Sequence, residues 1–264
     1  MNGRKNRKNQ SSVAACFFLV ALAFTSSSCG LDTLYELQPP NSDGHILNYT
    51  NADRPLDYFS LITNETGENG NYDDSDFRFL GTEIYYKIYT SASTMESAVT
   101  SINNLNTTSD ISAAATNIIN SRKYMTLSLD SGHPTPLIEY TRRNKYVYIR
   151  LNKITGTDAY RDSVYTGRNA MKQAGEGDAT LLGLPRRSFN SRYGFNFNSK
   201  DTMNNPLPVS GDEDVNWSGE PKNGTWYVDM WAVSIGRDSS YSPSYSKVLH
   251  LGSVTIKESY YDAQ

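Results

Sequence analysis

Residues 221–252, PKNGTWYVDMWAVSIGRDSSYSPSYSKVLHLG, constrain the fold of this chain more than any other stretch. Tyr227, Asp229, Trp231 and Val233 fall on one face of an extended segment, and Val228, Met230, Ala232 and Ser234 fall on the other. Side chains alternate in this way only in a β-strand. Gly236 and the Ser/Pro-rich residues 239–244 interrupt the pattern, and residues 247–256 begin a second run. The spacing predicts strand, turn, strand. A second strong strand is expected over Phe77–Tyr89, FRFLGTEIYYKIY, with Ile84, Tyr86 and Ile88 on one face and Tyr85, Lys87 and Tyr89 on the other. The isoleucine face is expected to point inward, because the opposite choice buries Lys87 unpaired.

The N-terminus carries a different kind of information. Arg4, Lys5, Arg7 and Lys8 precede a twelve-residue apolar run, 13–24, and Ser26, Ser27 and Ser28 then precede Cys29 and Gly30. The run is too short to span a bilayer as a helix, which takes about 20 apolar residues. It reads as a signal peptide over residues 1–28. Small residues directly before a cysteine resemble a bacterial lipobox, in which Cys29 is acylated and becomes the first residue of the mature chain. Ser26 stands where the usual leucine would be, a laxity that resembles spirochaete lipoproteins. Ordinary cleavage after Ser28 is the alternative. Cys16 lies inside the apolar run, so processing leaves Cys29 as the single cysteine and no internal disulfide is possible. An exported domain without disulfides has to be stabilised by its own core.

Processing also removes four basic residues and no acidic one, leaving a chain more acidic than its formal charge of −3. That balance argues against nucleic-acid or anionic-membrane partners. The expected membrane contact is the N-terminal lipid, which implies a cell-envelope location, at the outer membrane or facing the periplasm. Nineteen tyrosines and nine phenylalanines, with turn-forming Asn, Ser, Asp and Gly between apolar runs, suit a β-rich domain.

Residues 29–48 read as a lipidated tether, with Pro39 and Pro40 tolerable in a first edge strand. Residues 56–62 are expected to form a strand. Helical periodicity then replaces alternation. Ser93 to Glu96 has capping-box spacing, and Met95, Ala98, Val99, Ile102 and Leu105 follow at helical intervals. Asp110 is placed to cap a second helix with the stripe Ile111, Ala114, Ala115, Ile118 and Ile119. Residues 124–129 read as a short strand, and 137–140 with 145–151 as a hairpin. Residues 155–223 are expected to form short strands and turns, because a structureless loop of that length is improbable in a compact domain.

The pattern Gly-Thr-x-Tyr-x-x-x-x-Ala-Val at Gly224 to Val233, with Tyr-Ser-Pro-Ser after it, resembles the F strand, F–G loop and G strand of fibronectin type III modules. Phe77–Tyr89 resembles their strand C. The resemblance implies a mainly β, fibronectin type III or immunoglobulin-like sandwich. Residues 49–91 and 223–258 are its halves, and 92–222 is an insertion containing the helical hairpin, within the same domain or as a separate α+β lobe.

Few residues fall in spacings that carry chemistry. His45, His133 and His250 are far apart in sequence, without the short ligand spacing of a zinc site, and no metal or cofactor is expected. Ser244 and Lys247 match a Ser-x-x-Lys spacing, but in a turn before a strand rather than at a helix start. The acidic clusters Asp73–Asp76 and Asp212–Asp214, and the basic pairs Arg142–Arg143 and Arg186–Arg187, read as solvated loop charges. The expected function is a non-enzymatic binding or structural module with a protein or glycan ligand. Tyr85, Tyr89, Trp217, Tyr241 and Tyr245 are the candidate ligand-binding aromatics, and a carbohydrate-binding module is the alternative they suggest. A hydrolase is the third reading, with no acid–base pair to name.

Overall fold

The computed structural model describes residues 36–50, 58–63, 71, 76–140, 145–151, 162–168, 179–190, 192–197 and 207–257. The expected signal segment and Cys29 lie outside them. Three long strands form the centre: β2 (Phe77–Tyr89), β12 (Thr225–Asp238) and β13 (Pro243–Lys257). β12 lies between the other two and is antiparallel to both. The strand–turn–strand expectation holds, although the alternation runs past Gly236 and shortens the turn to residues 239–242.

The free edge of β2 is capped by three short strands, β3 (Met125–Thr126), β5 (Ile138–Glu139) and β11 (Val215–Asn216); β11 is the parallel one. A second antiparallel sheet has the order β1 (Phe59–Ile62), β6 (Tyr146–Arg150), β7 (Ser163–Gly167), β8 (Thr180–Gly183). A third joins β10 (Arg192–Phe195), β9 (Pro185–Phe189) and β4 (Ser128–Leu129). The expected hairpin over 137–151 does not form. Its first arm pairs with β2, and its second pairs with β1 and β7 in another sheet. Alternation identifies both arms as strands but does not choose their partners.

Ile84, Tyr86 and Ile88 of β2 and Val228, Met230 and Ala232 of β12 share one apolar cluster with Phe59, Leu61, Val147, Ile149 and Val164 of the second sheet. This is the interior of a β-sandwich, and the inward choice for the isoleucine face is right. The opposite face is covered too. Helix α1 (Ala92–Asn106) lays Met95, Ala98 and Ile102 against Tyr85, Tyr89, Trp231 and Val233. Its cap is Ser91, whose hydroxyl accepts from Thr94 N, rather than the expected Ser93. The second helical stretch is short. One α turn, α2 (Ala113–Thr116), runs into a π turn over Asn117–Ser121, and Ala114, Ala115 and Ile118 are buried.

β2 and β12 are therefore buried on both faces. Lys87 is buried despite the choice made to avoid it, and its Nζ donates to the carbonyls of Lys123 and Glu213, at 2.9 and 2.7 Å. Burial pulls its pKa down, and the charges of Asp214 and Glu213 oppose the shift.

Candidate functional site

Two buried polar networks lie on the β2–β12 pair. The first is structural. Arg187 of β9 is fully buried; its Nε donates to Asp214 Oδ2 at 2.8 Å, and its Nη2 donates to Asp214 Oδ1 at 2.8 Å and Asp212 Oδ2 at 2.9 Å. Tyr86 OH donates to Asp214 Oδ2 at 2.9 Å, and the guanidinium lies 4.3 Å from the centre of the Phe189 ring. Arg187, Asp212 and Asp214, expected to be solvated loop charges, are each other's partners in the core, while Glu213 stays exposed and accepts from Asn190 N at 2.8 Å. Arg142, Arg143, Asp73 and Asp74 lie outside the described residues. The forked guanidinium suits two carboxylates at once, so this network closes on itself.

The second network opens on a groove. Asp229, fully buried on the helix-covered face of β12, accepts from Tyr124 OH at 2.6 Å and from Trp231 Nε1 at 2.7 Å, both at Oδ2. Its Oδ1 lies 2.7 Å from His250 Nε2. Tyr124 is tied onward to Tyr89, with 2.9 Å between the two hydroxyls. Burial, then the Asp229 charge, pushes both tyrosines well above the ordinary range. They remain neutral, and Tyr124 stays a donor. A carboxylate oxygen accepts, so the hydrogen between Oδ1 and the ring is carried by Nε2. That fixes the tautomer and leaves Nδ1 as an acceptor in the neutral ring. Among the described residues Nδ1 has no hydrogen-bond partner, and the His250 side chain is 22% exposed. The imidazole lies over Trp231 with 4.3 Å between ring centres.

A β-bulge builds this site. Met230 is paired with Gly252 and Trp231 with His250, leaving Leu251 as the extra residue. In a regular strand, residues 250 and 253 would point to opposite faces. With the bulge, Leu251 enters the sandwich core while His250 and Ser253 line the same groove. Gly252 has a φ of +102°, and a Cβ there would run into the Leu47 backbone. Its bareness lets Leu47 N donate to Leu251 O at 3.2 Å and Leu47 O accept from Ser253 N at 2.9 Å. Segment 46–49 thereby forms one wall of the groove and α1 the other.

The cavity between them measures about 500 Å³, within the range of small-molecule sites. Leu47, Met95 and Val99 supply apolar wall; Glu96, Thr100 and Ser253 supply polar groups. Tyr49 OH donates to Glu96 Oε1 at 2.6 Å across the two walls, and that bond, with burial behind it, pushes the phenol up to about 12.

The aromatic residues singled out from the sequence do not assemble into a platform. Tyr85 and Tyr89 are buried beneath the helices, and Tyr245 is half-buried against the same cluster. Trp217 packs on the other side, against the sandwich core. Tyr241 is 73% exposed in the β12–β13 turn, with the Arg237 guanidinium 4.7 Å from its ring centre. Of the other histidines, His45 stacks on Tyr58 and His133 Nε2 lies 3.0 Å from Thr126 Oγ1. Ser244 and Lys247 lie in β13 rather than on a helix. His250 reads from the sequence only as a strand residue at the rim. The signal that could have found it is Gly252, a glycine inside a strand that marks a bulge or a close backbone approach. No family model, curated protein or solved structure matches this chain.

Proposed function

We propose that this chain is an exported, lipid-anchored binding module of the cell envelope, non-enzymatic, with its ligand site in the groove over Asp229 and His250. The carrying observation is His250 Nδ1, without a hydrogen-bond partner among the described residues, at a groove whose floor is held by three hydrogen bonds to one buried carboxylate. A site preorganised on paired strands in this way suits recognition. The basic residues, apolar run and small residues before Cys29 support export and lipidation. The antiparallel order β2–β12–β13, beside a β1–β6 pair, matches strands C–F–G and B–E of the fibronectin type III arrangement and supports that kinship. Helices over the outer face of C–F–G and the added strands β7 and β8 are departures from it. Fold kinship alone does not assign the ligand.

The test is the intact mass of the detergent-extracted protein, followed by protease treatment of whole cells. A chain beginning at acylated Cys29 supports the anchor, and shaving from intact cells places the module outside. A chain cut after Ser28 without lipid overturns the anchor.

A further inference from the structure

The groove's chemistry narrows its ligand, given the binding-module reading on which this inference rests. Asp229 fixes His250 with Nδ1 as an acceptor, so the floor asks for a ligand O–H or N–H. The Glu96 carboxylate on the wall asks for the same, and Thr100 and Ser253 add hydroxyls. An anion meets two carboxylates, Asp229 beneath the floor and Glu96 at the wall. A purely apolar ligand strips these acceptors of water without replacing its hydrogen bonds. Leu47, Met95 and Val99 nevertheless give the cavity an apolar side. A neutral sugar satisfies both demands, with hydroxyls that donate and a C–H face that packs against apolar side chains.

We infer that the groove binds a neutral saccharide of one or two rings, one hydroxyl donating to His250 Nδ1 and the C–H face lying on the apolar wall.

Calorimetric titration of the detergent-extracted full-length mature protein with cellobiose, maltose and N,N′-diacetylchitobiose tests this. At least one is expected to bind. His250→Phe is expected to weaken that binding by about tenfold, the loss of one good hydrogen bond. Should that variant fold poorly, Thr100→Trp, at an exposed helix position on the groove wall, is expected to block the cavity without touching the Asp229 network. Sugar binding that survives both substitutions overturns the site. Failure of all three sugars at about 10 mM, with putrescine bound in a Thr100→Trp-sensitive way, overturns the saccharide while the binding module stands. Failure of sugars and putrescine alike removes both readings of the groove.

Discussion

The two faces of the β2–β12 pair solve burial in different ways. On the sandwich face, Ile84, Ile88, Val228, Met230 and Ala232 meet another sheet, and Tyr86 sends its hydroxyl to the Arg187 network. On the helix face, the same strands bury Glu83, Lys87 and Asp229 among Tyr85, Tyr89 and Trp231. A facing sheet has spent most of its backbone groups on its own ladder and offers chiefly side chains, although Ser188 of β9 gives its N–H to Tyr86 OH at 2.6 Å. Helix ends and connecting loops still have carbonyls and N–H groups to give. Lys87 takes the carbonyls of Lys123 and Glu213, and Glu83 Oε1 takes the N–H groups of Ile84 and Leu137. Helix-covered sheet can therefore hold isolated polar groups, whereas sheet-covered sheet holds charge in closed networks.

The largest test of that contrast removes charge from the closed network. Arg187→Leu leaves two buried carboxylates unpaired, and Asp214→Ala strips the guanidinium of its bidentate partner. Each is expected to cost about 3–5 kcal/mol in urea unfolding. The double substitution should cost clearly less than the sum, and strict additivity would mean the groups act independently.

Glu83 is the next test, because it is buried without a countercharge. Burial pushes its pKa from 4.5 up to about 8 against the two backbone donors, and Oε2 has no hydrogen-bond partner among the described residues. Folded Glu83 keeps its proton up to about pH 8, whereas the unfolded chain releases it near 4.5. Its contribution is thus fully present below the lower value and drains away as pH rises through that window. The slope is on the order of 1.4 kcal/mol per pH unit at most. Glu83→Gln keeps an acceptor for both N–H groups and should remove this slope, overtaking wild type above neutral pH. Parallel stability–pH curves for the two proteins would show that Glu83 is not neutral in the fold.

A smaller effect is expected where neutral donors hold a charge. Tyr124→Phe removes one of the two donors to Asp229 Oδ2 and leaves Trp231, at a cost of about 1.5 kcal/mol. The His250 ring resonances should shift in the same variant, since the carboxylate that orients the ring has lost a partner. Tyr241→Ser marks the lower end. Its ring lies in solvent beside Arg237, so the unfolding midpoint should barely move, by less than about 0.5 kcal/mol.

Legibility in the sequence followed the range of the interaction. Phe77–Tyr89 was readable residue for residue, because alternation is local and the strand ends at the Ser91 cap. The apolar stripe of α1 was readable for the same reason. The partners of residues 138–139 and 146–150 were not, since a strand pattern names a face and leaves the neighbour open. Tyr85 and Tyr89 looked available for a ligand only while the helices' docking place was unknown. Asp212, Asp214 and Arg187 looked like solvated charges because their attraction spans 25 and 27 residues of sequence.

By itself the sequence determined the long strands β2, β12 and β13, the first helix and the apolar face of β2, all set by backbone geometry and periodicity over a few residues. It also contained Gly252, without showing what approached it. Only the tertiary structure decided that Leu47 is the segment crossing that glycine, that the bulge turns His250 and Ser253 to one side, and that Asp229 lies beneath them. The reason is physical. A buried charge or a bulged strand acquires its role from groups far away in the chain, and periodicity carries no record of them.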